Sequence, residues 1–148
     1  MSLAHNTPAG AASAAPAPAR VDLARTWMLR SPLAGGLETA ADVLVLDLED
    51  GLHAGRKDEG RERVRRAAAE EPVWMRISAA GTRDGEADLA LGRELDDRLA
   101  GVVLAMCAGP DDVAHVATSL PSGTSIVAMV ESAAALLAAP AIAAHPAT

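Results

Sequence analysis

Five short apolar runs recur along the chain and are separated by longer stretches that are charged or rich in alanine. Each run is too short for a helix, and several contain the β-branched residues that favour strands. The predicted strands are Trp27–Leu29, Val43–Leu48, Val73–Ile77, Val102–Met106 and Ile126–Val130. Strands that alternate with longer segments are typical of successive βα units on a parallel sheet.

The longer stretches carry helical patterns, either opposite charges at i,i+4 or an apolar stripe at i, i+3, i+4 and i+7. The predicted helices are Asp58–Glu71, Glu86–Leu99, a helix that runs from Pro110 through Leu120, and Ser132–Ala139, where Pro140 is expected to interrupt it. The first connection, residues 31–41, is short and contains glycine, so no helix is predicted there. Residues 21–148 are therefore predicted to form one α/β domain.

Two architectures share this alternation, an open doubly wound sheet and a closed (β/α)8 barrel. A barrel typically needs about 250 residues and eight strands, whereas this chain has 148 residues. Length alone therefore favours the open sheet. The nucleotide-binding version of that sheet is disfavoured because no segment matches a Gly-rich phosphate loop.

The composition argues against two classes of binding partner, nucleic acids and membranes. The chain has 13 Lys and Arg against 20 Asp and Glu, a formal charge of −7 that argues against nucleic acid. Charges or prolines interrupt every apolar stretch before the roughly 20 residues that span a bilayer, so no membrane segment is predicted.

Cys107 is the single cysteine, which predicts a reducing, cytoplasmic setting. Residues 1–20 are rich in Ala and Pro and are predicted to be disordered.

Three carboxylates, Asp47, Glu49 and Asp50, follow the second apolar run. In a parallel sheet this position is the carboxyl edge, where ligands bind in both candidate architectures. Side-chain alternation places Asp47 and Glu49 on one side of the strand. Such a group attracts a divalent cation or orients water and a substrate hydroxyl. The alternative is a solvated acidic loop before the next helix.

Two further charges lie in or directly after predicted strands. Arg76 lies within the third run, where a buried guanidinium needs an anion. Its partner is either a carboxylate of the acidic group or, functionally, a substrate carboxylate or a developing enolate oxygen. Glu131 follows the fifth run and is either a functional carboxylate or a helix cap.

The order and spacing of these residues resemble the HpcH/HpaI aldolase and citrate lyase beta subunit-like family, from Arg25 to about Ala144. The most specific part is the run Ala-Asp-Val-Leu-Val-Leu-Asp-Leu-Glu-Asp-Gly at 41–51, followed by Lys57 and Arg61. Three later segments, Met-Arg-Ile-Ser at 75–78, Gly-Val-Val-Leu at 101–104 and Met-Val-Glu-Ser at 129–132, resemble further strands of that family.

The resemblance implies a β/α barrel, of which about five strands are present, and a Mg²⁺-dependent carbon–carbon lyase of a short-chain hydroxyacyl-CoA or 2-oxo acid. It implies that Glu131 is a ligand of Mg²⁺ and that Arg76 binds the carbonyl or enolate oxygen of the substrate. Glu49 and Asp50 would orient the substrate and metal-bound water. Coenzyme A would enter as part of the substrate, and a homo-oligomer is expected.

The chain also departs from the family pattern. Ala105 and Met106 replace the family's Pro-Lys, Ala108 replaces an acidic residue, and Ser78 replaces Asn. In the family a second metal-ligand Asp comes from strands six to eight, which the five predicted strands do not include. Three explanations would account for a chain with only five of the eight barrel strands. The chain is a piece of a longer polypeptide, a half-barrel closed against a second copy, or a non-catalytic relative that serves as a binding or assembly module.

Overall fold

All five predicted strands lie in one parallel sheet. The computed structural model describes residues 21–148, so the disorder predicted for residues 1–20 falls outside the described residues. The strands are β1 (Trp27–Arg30), β2 (Val43–Asp47), β3 (Val73–Ile77), β4 (Leu99–Leu104) and β5 (Ser125–Ala128). The helices are α1 (Lys57–Glu70), α2 (Arg83–Leu95), α3 (Pro110–Ser119) and α4 (Ala133–Ala143).

The strand order distinguishes the two architectures. It is β1-β2-β3-β4-β5, so each strand is added beside its predecessor in one direction. Because crossovers between parallel strands are right-handed, crossovers that all advance in one direction place their helices on one face of the sheet. A doubly wound sheet instead reverses at a switch point. The winding is that of a β/α barrel, here with five strands, and the fold class implied by the resemblance is confirmed.

The helices cover one face of the sheet and form the main core there. Leu46, Met75 and Leu104 point from the strands into a single buried cluster. Each of the four helices contributes to that cluster, for example through Val64 of α1 and Val113 of α3. None of the helices in the part of the chain that the structure describes is long and apolar enough to span a membrane.

The opposite face, which would line a barrel, has a smaller core near the amino ends of the strands. The rings of Trp27 and Trp74 meet edge to face with their centroids 5.0 Å apart. Gly101 lies beneath the Trp74 indole, and a Cβ at this position would collide with that ring. Apolar side chains therefore fill the amino-terminal half of this inner face and leave its polar residues at the carboxyl edge.

Three predicted helix boundaries are wrong by more than one residue. Helix α2 begins at Arg83 and not at Glu86, because Thr82 caps it three residues earlier. The leucine spacing that predicted Glu86–Leu99 continues by chance beyond the end of the helix. Helix α2 ends at Leu95, because Asp96 has a positive φ of 50°. Leu99 is already the first residue of β4. Pro140 lies inside α4 instead of ending it. Its missing N–H affects a part of the helix that is exposed to solvent, and burial of Ile142 favours one further turn.

Strand ends also differ from prediction. β4 was predicted as Val102–Met106 but begins at Leu99 and ends at Leu104. It ends there because Met106 turns into the left-handed region (φ 53°). β5 ends at Ala128, two residues before the predicted end. The first connection contains no helix, as predicted.

Candidate functional site

Asp47 and Arg76 form a buried ion pair at the carboxyl edge of the inner face. The register of β2 against β3 makes them direct neighbours, so their side chains leave the same face. Arg76 Nε donates to Asp47 Oδ1 at 2.7 Å and Nη2 donates to Oδ2 at 2.6 Å. Both residues are less than a tenth exposed. This bidentate pair raises the pKa of Arg76 and keeps the guanidinium charged.

Glu49 is the second carboxylate of this cluster. Its Oε2 lies 3.2 Å from Arg76 Nη2, and its backbone N–H donates to Asp47 Oδ1 at 3.0 Å. Partial burial raises the pKa of Glu49, although Arg76 opposes that shift. A carboxyl group with a raised pKa beside a fixed cation is suited to proton transfer.

The acidic loop, residues 48–51, follows β2 and is held over the end of that strand by hydrogen bonds to its backbone carbonyl groups. Lys57, the first residue of α1, donates its Nζ to the carbonyl oxygens of Leu48 and Glu49. Gly51 passes so close to Asp47 that a Cβ would lie 2.7 Å from Oδ2. A larger residue would therefore displace the carboxylate that binds Arg76. Asp50 in this loop is exposed, and its N–H donates to Glu49 Oε2 at 2.8 Å.

A second buried network supports the end of β3 from the helix side of the sheet. Arg61 of α1 donates from Nε to Asp88 Oδ1 at 2.8 Å, and Asp88 Oδ2 accepts the N–H of Ser78 at 3.0 Å. Asp88 is fully buried, and this burial raises its pKa against the influence of Ser78 and Arg61. The network ties α1 and α2 to the residue two positions after Arg76. The Ser78 hydroxyl is buried without a hydrogen-bond partner among the described residues.

Glu131 lies in the loop after β5, and β4 separates that strand from β3, which carries Arg76. Its Oε1 accepts the N–H of Met106 at 2.7 Å, and the residue is exposed. It makes no hydrogen bond or ion pair with the Asp47–Arg76 cluster in the structure. Within residues 21–148, no group of three or more His, Cys, Asp or Glu side chains could hold a metal ion.

The structure therefore brings together Arg76 and Glu49 among the proposed site residues and places Asp50 in the same loop. The functional roles suggested for these residues and for Glu131 stay predictions. A carboxylate of the acidic group was one of the two partners predicted for Arg76, and the structure shows that this carboxylate is Asp47, which was not singled out within the group. Asp88 was missed, although its position in the buried stripe of α2 with Gly85, Leu89 and Gly92 was a detectable signal.

Comparisons with known proteins point to one family. The family model described as HpcH/HpaI aldolase/citrate lyase matches residues 34–148. No curated protein matches the chain at a significant level.

Several solved structures share the fold. CitE of Mycobacterium tuberculosis complexed with the triphosphate group of ATP has 30% identity and a TM-score of 0.71, over 87% of this chain and 57% of its own. CitE of the same organism with magnesium, acetoacetate and coenzyme A has 26% identity and a TM-score of 0.67, over 86% and 48%. The M. tuberculosis citrate lyase beta subunit with oxaloacetate and magnesium has 31% identity and a TM-score of 0.60, over 74% and 46%.

The chain thus spans about half the length of these structures. The family match covers most of the chain, and the resemblance drawn from the acidic motif and the later strands is confirmed. The protein belongs to the HpcH/HpaI aldolase/citrate lyase family.

Proposed function

We propose that the protein is a Mg²⁺-dependent carbon–carbon lyase of a short-chain hydroxyacyl-CoA or 2-oxo acid. In this proposal residues 21–148 supply the cation that binds the negatively charged oxygen of the substrate. Membership of a family of aldolases and lyases supports the reaction class. The observation that carries the proposal is the buried, permanently charged Arg76 at the carboxyl edge of the sheet. Asp47 occupies Nε and Nη2, which leaves Nη1 without a hydrogen-bond partner among residues 21–148.

In this proposal Arg76 binds the carbonyl oxygen whose negative charge grows as the carbon–carbon bond breaks. A fixed cation at that oxygen stabilises the enolate more than the ground state, which is the requirement for catalysis. Asp47 holds the guanidinium in place before the substrate arrives. Glu49, whose pKa is raised, takes the proton of the substrate hydroxyl as the carbon–carbon bond breaks and delivers it to the enolate carbon, and Asp50 orients the substrate from the loop.

The residues present fit part of a magnesium site. Glu131 has one oxygen on the Met106 N–H and a second available to a cation. Mg²⁺ usually takes only one or two protein carboxylates and fills its shell with water and substrate oxygens, so a single carboxylate from this segment is compatible with it. When bound, the ion would polarise the acyl oxygen of the substrate.

The ligands of similar structures support the proposed substrate class. M. tuberculosis CitE was crystallised with magnesium, acetoacetate and coenzyme A, and the citrate lyase beta subunit with oxaloacetate and magnesium. Both acids are short and carry a ketone near a carboxylate. We extend that chemistry to this protein, with coenzyme A as part of the substrate, and we place the protein in the cytoplasm as a homo-oligomer.

Calorimetric titration of Mg²⁺ in the presence of oxaloacetate tests the metal assignment. We expect Glu131→Gln to weaken Mg²⁺ binding by at least about tenfold, because the amide has no charge. Glu71→Gln is the matched control, since Glu71 is exposed at the opposite end of β3. Equal Mg²⁺ affinity in wild type and Glu131→Gln would contradict the assignment.

A second candidate is a non-catalytic binding module. It is favoured by Met106, which stands where the family has a lysine and is 53% exposed at the carboxyl edge. The two candidates differ in turnover: a lyase should cleave a hydroxyacyl-CoA in a Mg²⁺-dependent assay and lose cleavage in Arg76→Lys. A binding module should bind oxaloacetate or coenzyme A without cleavage in either form.

A further inference from the structure

The loop that follows β4, residues 105–109, carries one exposed apolar side chain. Met106 is 53% exposed, whereas Ala105 and Cys107 on either side of it are buried. The backbone of Met106 lies in the left-handed region with φ 53°, a conformation that residues other than glycine adopt rarely. Its N–H already donates to Glu131 Oε1. A ligand at this position would therefore meet the Met106 side chain and not its N–H.

Met106 lies between the two groups that are proposed to hold the substrate. Strand β4 stands between β3, which carries Arg76, and β5, which is followed by Glu131. Neighbouring strands are about 4.8 Å apart, so β3 and β5 are separated by about 10 Å. A short acid that places one oxygen on Arg76 and another on a cation held by Glu131 must therefore pass over the end of β4.

The side chains that contact the 105–109 loop by hydrogen bonds from other elements are both carboxylates. Glu131 accepts the N–H of Met106, and Asp112 Oδ2 accepts the N–H of Ala108, each at 2.7 Å. Among residues 21–148, no Lys or Arg forms a hydrogen bond or an ion pair with this loop. A negatively charged group of a substrate placed over the loop would therefore face like charges, which weaken binding.

The cations at the carboxyl edge already have partners away from this loop. Arg76 is paired with Asp47. Arg30, at the end of β1, donates Nη1 to the carbonyl oxygens of residues 36 and 38. Lys57 donates to the backbone of the acidic loop, which follows β2, and both β1 and β2 are at least two strands away from β4. The edge is thus equipped for one carboxylate of a substrate and not for a second one over β4.

We propose that Met106 determines specificity by selecting substrates whose group over the end of β4 is an uncharged alkyl chain. The 2-oxo acid that the protein binds or releases would then carry a single carboxylate. The flexible, polarisable thioether of methionine packs against alkyl groups of different shape, while Glu131 and Asp112 disfavour a second carboxylate. This inference rests on the proposed function and narrows its substrate class.

Calorimetric titration of the 148-residue chain with two matched acids at saturating Mg²⁺ tests this selection. 2-Oxopentanoate and 2-oxoglutarate have carbon chains of the same length, and they differ only in the terminal group, which is a methyl in the first and a carboxylate in the second. The wild type should bind 2-oxopentanoate at least about tenfold more tightly than 2-oxoglutarate, because only the dicarboxylate brings a second negative charge to the 105–109 loop.

Three variants locate the effect. Met106→Lys should abolish or reverse the preference, because its ammonium group would pair with the second carboxylate. Met106→Leu should keep the preference. Neither replacement is branched at Cβ, so both fit the positive φ as well as methionine does. Leu137→Lys adds the same charge at an 87% exposed residue of α4 and should bind the two acids as the wild type does.

The outcomes separate this inference from the proposed function. Equal affinity of the wild type for the two acids, tighter binding of 2-oxoglutarate, or no binding of either acid would overturn the role of Met106. A Leu137→Lys variant that changes the preference as much as Met106→Lys would also overturn it, since the effect would then be one of net charge. The proposed function is judged separately, by the Mg²⁺ dependence of binding and by cleavage of a hydroxyacyl-CoA.

Discussion

Replacing Asp47 by asparagine is expected to destabilise the fold by about 3 kcal/mol. The substitution preserves volume but leaves Arg76, which is 8% exposed, without its bidentate partner. Removing one member of a buried ion pair typically costs about 3–5 kcal/mol. The lower end applies here because Glu49 Oε2 remains 3.2 Å from Arg76 Nη2.

Urea unfolding followed by tryptophan fluorescence measures this loss. Trp74 lies two residues before Arg76 on the same face, and Trp27 contacts it, so the emission reports on the region around the pair. With a slope of about 2 kcal/mol per molar urea, the unfolding midpoint should fall by about 1.5 M. Asp50→Asn is the matched control: its side chain is exposed, and its cost should stay within about 0.5 kcal/mol.

A double-mutant cycle separates the pair from general damage at this edge. Arg76→Met removes the cation, and the variant with both substitutions has no unpaired buried charge. That double variant should be more stable than the sum of the single losses predicts, by at least about 1.5 kcal/mol. Additive losses, or an Asp47→Asn midpoint equal to that of Asp50→Asn, would refute the reasoning.

Two further predictions concern the acidic loop and an exposed ion pair. Gly51→Ala should cost about 1–3 kcal/mol in urea unfolding, because its Cβ would lie 2.7 Å from Asp47 Oδ2. Gly55→Ala, with nothing within 4 Å of the added Cβ, should cost less, and equal costs would contradict the packing argument. A hydrogen bond from His115 at 2.7 Å lowers the pKa of Glu86. The pair therefore stabilises the fold above pH 4.5, the ordinary pKa of a glutamate, and this stabilisation is lost as the pH falls through the lowered pKa. Between about pH 5 and about pH 3 the wild type should lose up to about 0.5 kcal/mol more stability than Glu86→Gln, and parallel pH profiles would count against the pair.

The alternation of apolar runs and helical patterns was sufficient to predict the elements of this fold. β3 was predicted with the bounds that the structure shows, because an apolar run enriched in large and β-branched residues fits a strand buried on both faces. The boundaries that failed, at Leu99 and Pro140, lie where a local pattern continued beyond a turn or where burial of Ile142 outweighed a local helix breaker.

The candidate site was predicted only in part. The acidic group and Arg76 could be recognised as charges within or directly after apolar strands, since such charges need partners. The pairing of Arg76 with Asp47 could not be deduced, because it depends on the register of β2 against β3. The burial of Asp88 could have been predicted from the spacing of α2, but its partners Arg61 and Ser78 could not, because they come from other elements.

The sequence by itself determined the element types, the α/β class and the charges at the carboxyl edge, because these depend on the two-residue period of a strand and the 3.6-residue period of a helix. The family resemblance implied a barrel, but the pattern of residues left the open sheet and the barrel unresolved until the tertiary structure showed the strand order. Only the tertiary structure decided that Asp47 holds Arg76 and that Leu137 faces outward. These features arise from contacts between residues far apart in the chain, and neither hydrogen-bond register nor crossover direction leaves a local pattern from which it can be deduced.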